Sequence, residues 1–127
     1  MGVMIRTFEK EDWFRVENAF EEGTPNEAGL QAAEDSVTMT VERDGKVVAC
    51  GGALPDGEIW MRMSRNGNML SIVMAIKAGF NILRNSLDDV VLWCRVKDGW
   101  VTGRRFVEWL GFSFTQSEEG YGVYEWR

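Results

Sequence analysis

The 127-residue sequence contains no histidine. That absence removes the serine–histidine triad, histidine acid–base catalysis and the usual zinc sites. Proton transfer is left to Glu, Asp, Lys, Tyr, Cys, backbone or water. Cysteine is scarce: Cys50 and Cys94 both lie in apolar stretches without CxxC spacing. They read as reduced core thiols of a cytosolic protein, and no metal is expected. Apolar runs are short. None reaches 18 residues, and Met1 to Arg6 carries no apolar leader core. Neither a membrane span nor a signal peptide is therefore expected. Basic residues are in the minority, 14 Lys and Arg against 20 Asp and Glu, for a formal net charge of -6. A surface of that sign does not suit phosphate backbones, so nucleic acid is excluded as a partner, while cationic amines are compatible. Runs of five like charges, repeats and low-complexity segments are also missing.

What remains is an ordinary globular composition, 45% hydrophobic and 27% charged. It suits one domain over residues 1–127, long enough to bury a core without staples. Val3 to Thr7 reads as a strand. Trp13, Val16 and Phe20 at i, i+3 and i+7 predict a helix over 9–22, capped by Gly23. Thr24-Pro25-Asn26-Glu27 is a capping box, opening a second short helix to about Glu34. Val37, Met39 and Val41 alternate with polar residues as in a half-buried strand. Asp44-Gly45 is a hairpin turn to a partner strand over 46–54. After the turn at Pro55-Asp56-Gly57 comes a fourth strand, Glu58 to Ser64, with Ile59, Met61 and Met63 on one face and Trp60 in antiphase.

The span 69–86 predicts the longest helix, with an apolar stripe of Met69, Ile72, Val73, Ile76, Phe80 and Leu83. Val90 to Val96 is nearly continuously apolar and predicts a strand buried on both faces. Trp100 to Leu110 predicts a helix ended by Gly111, and two strands, 112–116 and 121–126, close the chain. The expected fold class is α/β (α+β): a mixed, mostly antiparallel central sheet with flanking helices. Its fourth and fifth strands should run parallel and diverge at one end. Ile76, Phe80, Val91, Trp93, Phe106 and Leu110 are expected to share one core.

That element order, with Trp109-Leu110-Gly111-Phe112 as a helix ending in an apolar residue and then Gly-Phe, resembles the GNAT family of N-acetyltransferases. The chain is short and carries Trp60 in its fourth strand. With Val91-Leu92-Trp93-Cys94-Arg95-Val96 and the span from Arg105 to Phe112, it is most similar to the short acetyltransferase-like proteins of tailed phages and prophages. The resemblance implies an acyl-CoA N-acyltransferase fold with acetyl-CoA as co-substrate and a small-molecule or peptide amine as acceptor. It leaves room for a homodimer, and implies a cytoplasmic location, in the host cytoplasm or the virion for a phage protein.

The resemblance also implies that the pyrophosphate rests on backbone amides of Arg65, Asn66, Gly67, Asn68 and Met69, at the N-terminus of the long helix. The pantetheine arm would pair with the end of the fourth strand, at Met63 and Ser64. The sequence departs from the family pattern here. Asn68 and Leu70 hold the two small-residue positions and Gly67 falls one place early, so the stretch also reads as a turn with an Asn helix cap. Val107 stands where many members have a proton-donating Tyr. Tyr124 or Tyr121 is left as the acid, and Glu58, opening the fourth strand, as the base. Two functions follow: an N-acetyltransferase acting on an amine, or a catalytically weak or inactive GNAT-like structural or accessory protein of a phage or prophage.

Overall fold

The structure, a computed structural model, describes residues 2–20, 30–31, 33–34, 36–65, 69–87 and 89–126, without the side chains of Met69 and Ser71. Four strands form an antiparallel meander: β1 (Val3–Arg6), β2 (Val37–Arg43), β3 (Lys46–Ala53) and β4 (Ile59–Met63). The turn between β2 and β3 has positive φ at both Asp44 (52°) and Gly45 (80°), the backbone twist that a tight hairpin demands. A second antiparallel sheet has the order β5-β7-β6, from β5 (Trp93–Lys97), β6 (Phe112–Glu118) and β7 (Tyr121–Trp126). The two sheets meet at a parallel bridge between Glu58 and Trp93. Three helices are described in full: α1 (Asp12–Arg15), α2 (Met69–Asn85) and α3 (Val101–Leu110). Gly111 ends α3 in the left-handed conformation, φ 113°, as the Leu-Gly-Phe motif requires. No helix among the described residues is long and apolar enough to cross a membrane.

Helix α2 links the halves. Its Ile72 and Ile76 pack on the first sheet with Val41, Ala49 and Met63. One turn on, Phe80 joins the second sheet's cluster of Leu92, Cys94, Val96, Leu110, Phe112 and Tyr124. On the far face of the first sheet, Trp13, Val16, Val47, Cys50 and Trp60 form a third cluster. Trp60 thus faces away from Ile59 and Met61, and its indole N–H donates to Ser36 Oγ at 2.9 Å. Burial pushes both thiols up to about 12: Cys50, to which the charge of Asp12 adds, and Cys94, to which that of Glu58 adds.

Three expectations are corrected. The first helix is four residues long, not fourteen: Val16 is extended (ψ 105°) and Asn18 is left-handed (φ 49°), so the chain leaves the helix before Phe20. The fifth strand alternates instead of being buried throughout. Leu92, Cys94 and Val96 are buried, whereas Val91 is exposed and Trp93 and Arg95 lie on the outer face. Val91 and Trp93 are therefore not partners of Phe80, and Phe106 is only partly buried. Ile76 belongs to the first sheet's cluster. Of the second helix, residues 30, 31, 33 and 34 are helical. The capping box at 24–27 and Gly23 lie outside the described residues.

Asp12 is wholly buried yet charged. Arg6 donates two hydrogen bonds to its carboxylate, each 2.8 Å; Arg15, Thr40 Oγ1 and the Glu9 N–H add one each, at 2.9, 2.9 and 2.8 Å. Burial by itself pushes the carboxyl up, but these donors together outweigh it and hold Asp12 well below the usual carboxylate range. Arg6 also bonds Glu42, so the network ties α1 to β1 and β2.

Candidate functional site

The site grows out of the junction of β4 and β5. Trp93 N–H donates to Gly57 O at 3.0 Å, closing the junction at its narrow end. Gly57 has φ +95°, and a Cβ there would lie 2.1 Å from Val91 O, so only glycine lets the strands come this close. Beyond the junction β4 continues to pair with β3 and β5 with β7, and the two separate. The V-shaped gap holds a cavity of about 590 Å³. Cys94, Val96, Phe106 and Leu110 line its apolar part.

Glu58, Arg95, Glu118 and Tyr121 also line it. Arg95 Nη1 donates to Glu58 Oε2 at 3.0 Å and Arg95 Nε to Glu118 Oε2 at 3.2 Å, while the guanidinium lies 4.9 Å from the Trp93 ring centroid. Burial raises the Glu58 carboxyl above its ordinary value; Arg95 opposes this, and the charges of Asp56 and Glu118 reinforce it. Glu58 is thus a partly buried carboxylate on the cavity wall, held in an ion pair with Arg95.

Tyr124 is buried against Phe114, with ring centroids 5.6 Å apart, and lies outside the cavity wall. Burial raises its phenol. The structure therefore does not bring Tyr124 to Glu58; Tyr121 is the tyrosine at the cavity. Val107 and Phe106 face the cavity from α3 without a proton to give.

Of the residues expected to hold the cofactor, Met63 ends β4 and lines the cavity. Met63 and Ser64 are buried, and Ser64 N–H donates to Val48 O at 2.9 Å. Arg65 turns toward Asn18, donating from Nη2 to Asn18 Oδ1 at 3.0 Å. Asn66, Gly67 and Asn68 lie outside the described residues, and Met69 begins α2. Sequence reasoning missed Arg95, Glu118, Phe20 and Trp100. Arg95 could have been found as the charged residue in antiphase to Cys94 and Val96; the others required the fold.

A meander joined to a second sheet by one splayed parallel pair, with a long helix crossing between, is the GNAT acyl-CoA N-acyltransferase fold. Solved structures agree. Ard1 from Thermoplasma volcanium superposes with a TM-score of 0.74 at 16% identity, covering 98% of this chain and 95% of its own. PaiA N-acetyltransferase from Thermoplasma acidophilum, in complex with coenzyme A, gives 0.68 at 12%, covering 100% and 99%. A GNAT-family acetyltransferase from Streptococcus pneumoniae gives 0.69 at 12%, covering 98% and 96%. No protein-family model and no curated protein matches the chain.

Proposed function

We propose that the protein, as one domain over 1–127, is an N-acetyltransferase that moves an acetyl group from acetyl-CoA to a small-molecule or peptide amine. The observation that carries this reading is the splayed β4–β5 pair enclosing a cavity with Glu58 on its wall. The coenzyme A bound to the PaiA relative supports the choice of donor. In this reading the thioester enters the gap along β4, toward Met63 and Ser64, and the pyrophosphate meets Arg65 and the amides over 66–69 at the start of α2. Glu58 takes a proton from the ammonium, the free amine attacks the thioester carbonyl, the nitrogen sheds its second proton as the C–S bond breaks, and the departing thiolate takes up a proton in its place. Tyr121, which lines the cavity, is the proton donor in this reading, with Tyr124 as the alternative. The protein would work in the cytoplasm, in the host or a virion if its origin is a phage.

The experiment titrates acetyl-CoA calorimetrically into the wild type and an Arg65→Ala, Gly67→Val double variant. Saturable wild-type binding, lost in the variant, is the expected result; unchanged binding in the variant moves the cofactor elsewhere. A second reading, a phage or prophage accessory protein with weak or no catalysis, is favoured by Val107. No binding at millimolar acetyl-CoA selects it.

A further inference from the structure

Asn18, Ala19 and Phe20 run past the end of β4 and meet it through one antiparallel bridge, Ala19 to Ser64. Ser64 N–H donates toward β3, to Val48 O, so by the alternation of an antiparallel ladder the carbonyl of Met63 and the N–H of Arg65 point the opposite way, to the free edge of β4. Both are taken. Phe20 N–H donates to Met63 O at 3.2 Å, Arg65 N–H donates to Asn18 O at 3.0 Å, and Ala19 and Ser64 form an antiparallel bridge. Side chains extend the contact across the gap. The Phe20 ring lies 5.8 Å from that of Trp100, which follows β5, and the Arg65 guanidinium lies 5.8 Å from the Phe20 centroid. Phe20 and Trp100 both line the cavity.

We infer that Asn18–Phe20 is a self-docked segment that plugs the wide end of the V, and that an extended, amide-bearing ligand must displace it to pair with β4. The plug competes with the ligand for the same backbone groups, so apparent affinity falls by the fraction of molecules in which it is docked. Naming acetyl-CoA as that ligand rests on the acetyltransferase reading; the plug itself does not.

Amide hydrogen exchange followed by NMR tests the plug in the free wild-type protein. If the plug is displaceable, the amides of Phe20 and Arg65 exchange at least about ten-fold faster than that of Ser64, which faces β3. Exchange of all three at one common rate would make the segment a fixed part of the fold and overturn the inference. Acetyl-CoA is then titrated into the wild type and a Phe20→Ala variant, each checked for folding by circular dichroism. Removing the ring should tighten binding about ten-fold. Equal or weaker binding by the folded variant overturns the competition. Separate exchange of Phe20 and Arg65, with acetyl-CoA bound by neither protein, supports the plug and rejects the acetyl-CoA reading, so the two fail distinguishably.

Discussion

Asp12 is a buried charge whose partners are all its own chain, and its removal should be costly. Asp12→Ala would leave Arg6 beside an empty site, so a loss of roughly 3–5 kcal/mol is expected in urea unfolding. The pH dependence has a definite sign. A carboxyl held low in the folded state stabilises the protein fully above the ordinary carboxylate range near pH 4. That contribution fades as pH falls below it. Asp12→Asn should therefore flatten the acid limb of a stability–pH curve; a limb of unchanged slope would assign acid unfolding to other groups. The thiols behave oppositely. Their raised values favour the neutral form in the fold, a contribution present at neutral pH and lost as pH climbs from about 9 toward 12. Cys50 and Cys94 should accordingly resist a thiol reagent at pH 7 until the protein is unfolded. If Glu58 is the base, Glu58→Gln should cut kcat by about 10²-fold or more with the circular dichroism spectrum intact.

Elements carry the next level of prediction. Helix α2 presents Phe80 to the second sheet, where its ring lies 5.4 Å from Phe112 and 6.3 Å from Trp126. Phe80→Ala should cost roughly 3–5 kcal/mol in denaturant melts. Val91→Ala, on the exposed stretch before β5, should fall within about 0.5 kcal/mol of wild type. Much of the element pattern was legible because it is local. Val37, Met39 and Val41 announce β2 by period, and Asp44-Gly45 announces its turn by conformation. Glu58, a candidate because it opens the fourth strand, lies on the cavity wall. The rest is decided by distant partners. Trp13, Val16 and Phe20 have helical spacing, yet Phe20 gives its N–H to Met63, a contact that no window around residue 20 contains. Val91 and Trp93 looked as apolar as Leu92 and Cys94, and only the packing of α2 and α3 against one face of β5 separates them.

At the scale of the molecule, each sheet's ladder is made within one continuous stretch of chain, Val3 to Met63 and Trp93 to Trp126, and α2 lies between them in sequence. The backbone join is the Glu58–Trp93 bridge, guarded by Gly57; Gly57→Ala should wedge it apart at roughly 2–4 kcal/mol from unfavourable φ and overpacking together. The division suits fragment complementation. A chain severed between residues 87 and 89 should yield two pieces that reassemble when co-expressed, because Phe80 at the end of one piece fits between Phe112 and Trp126 of the other. The cavity wall draws on both pieces, Glu58 and Met63 from the first, Arg95 and Trp100 from the second. Any compound that fills it would then act as glue, and reassembly would rise with its concentration in proportion to its affinity. A split reporter built on this cut would turn the search for whatever fills the cavity into a screen that needs no turnover.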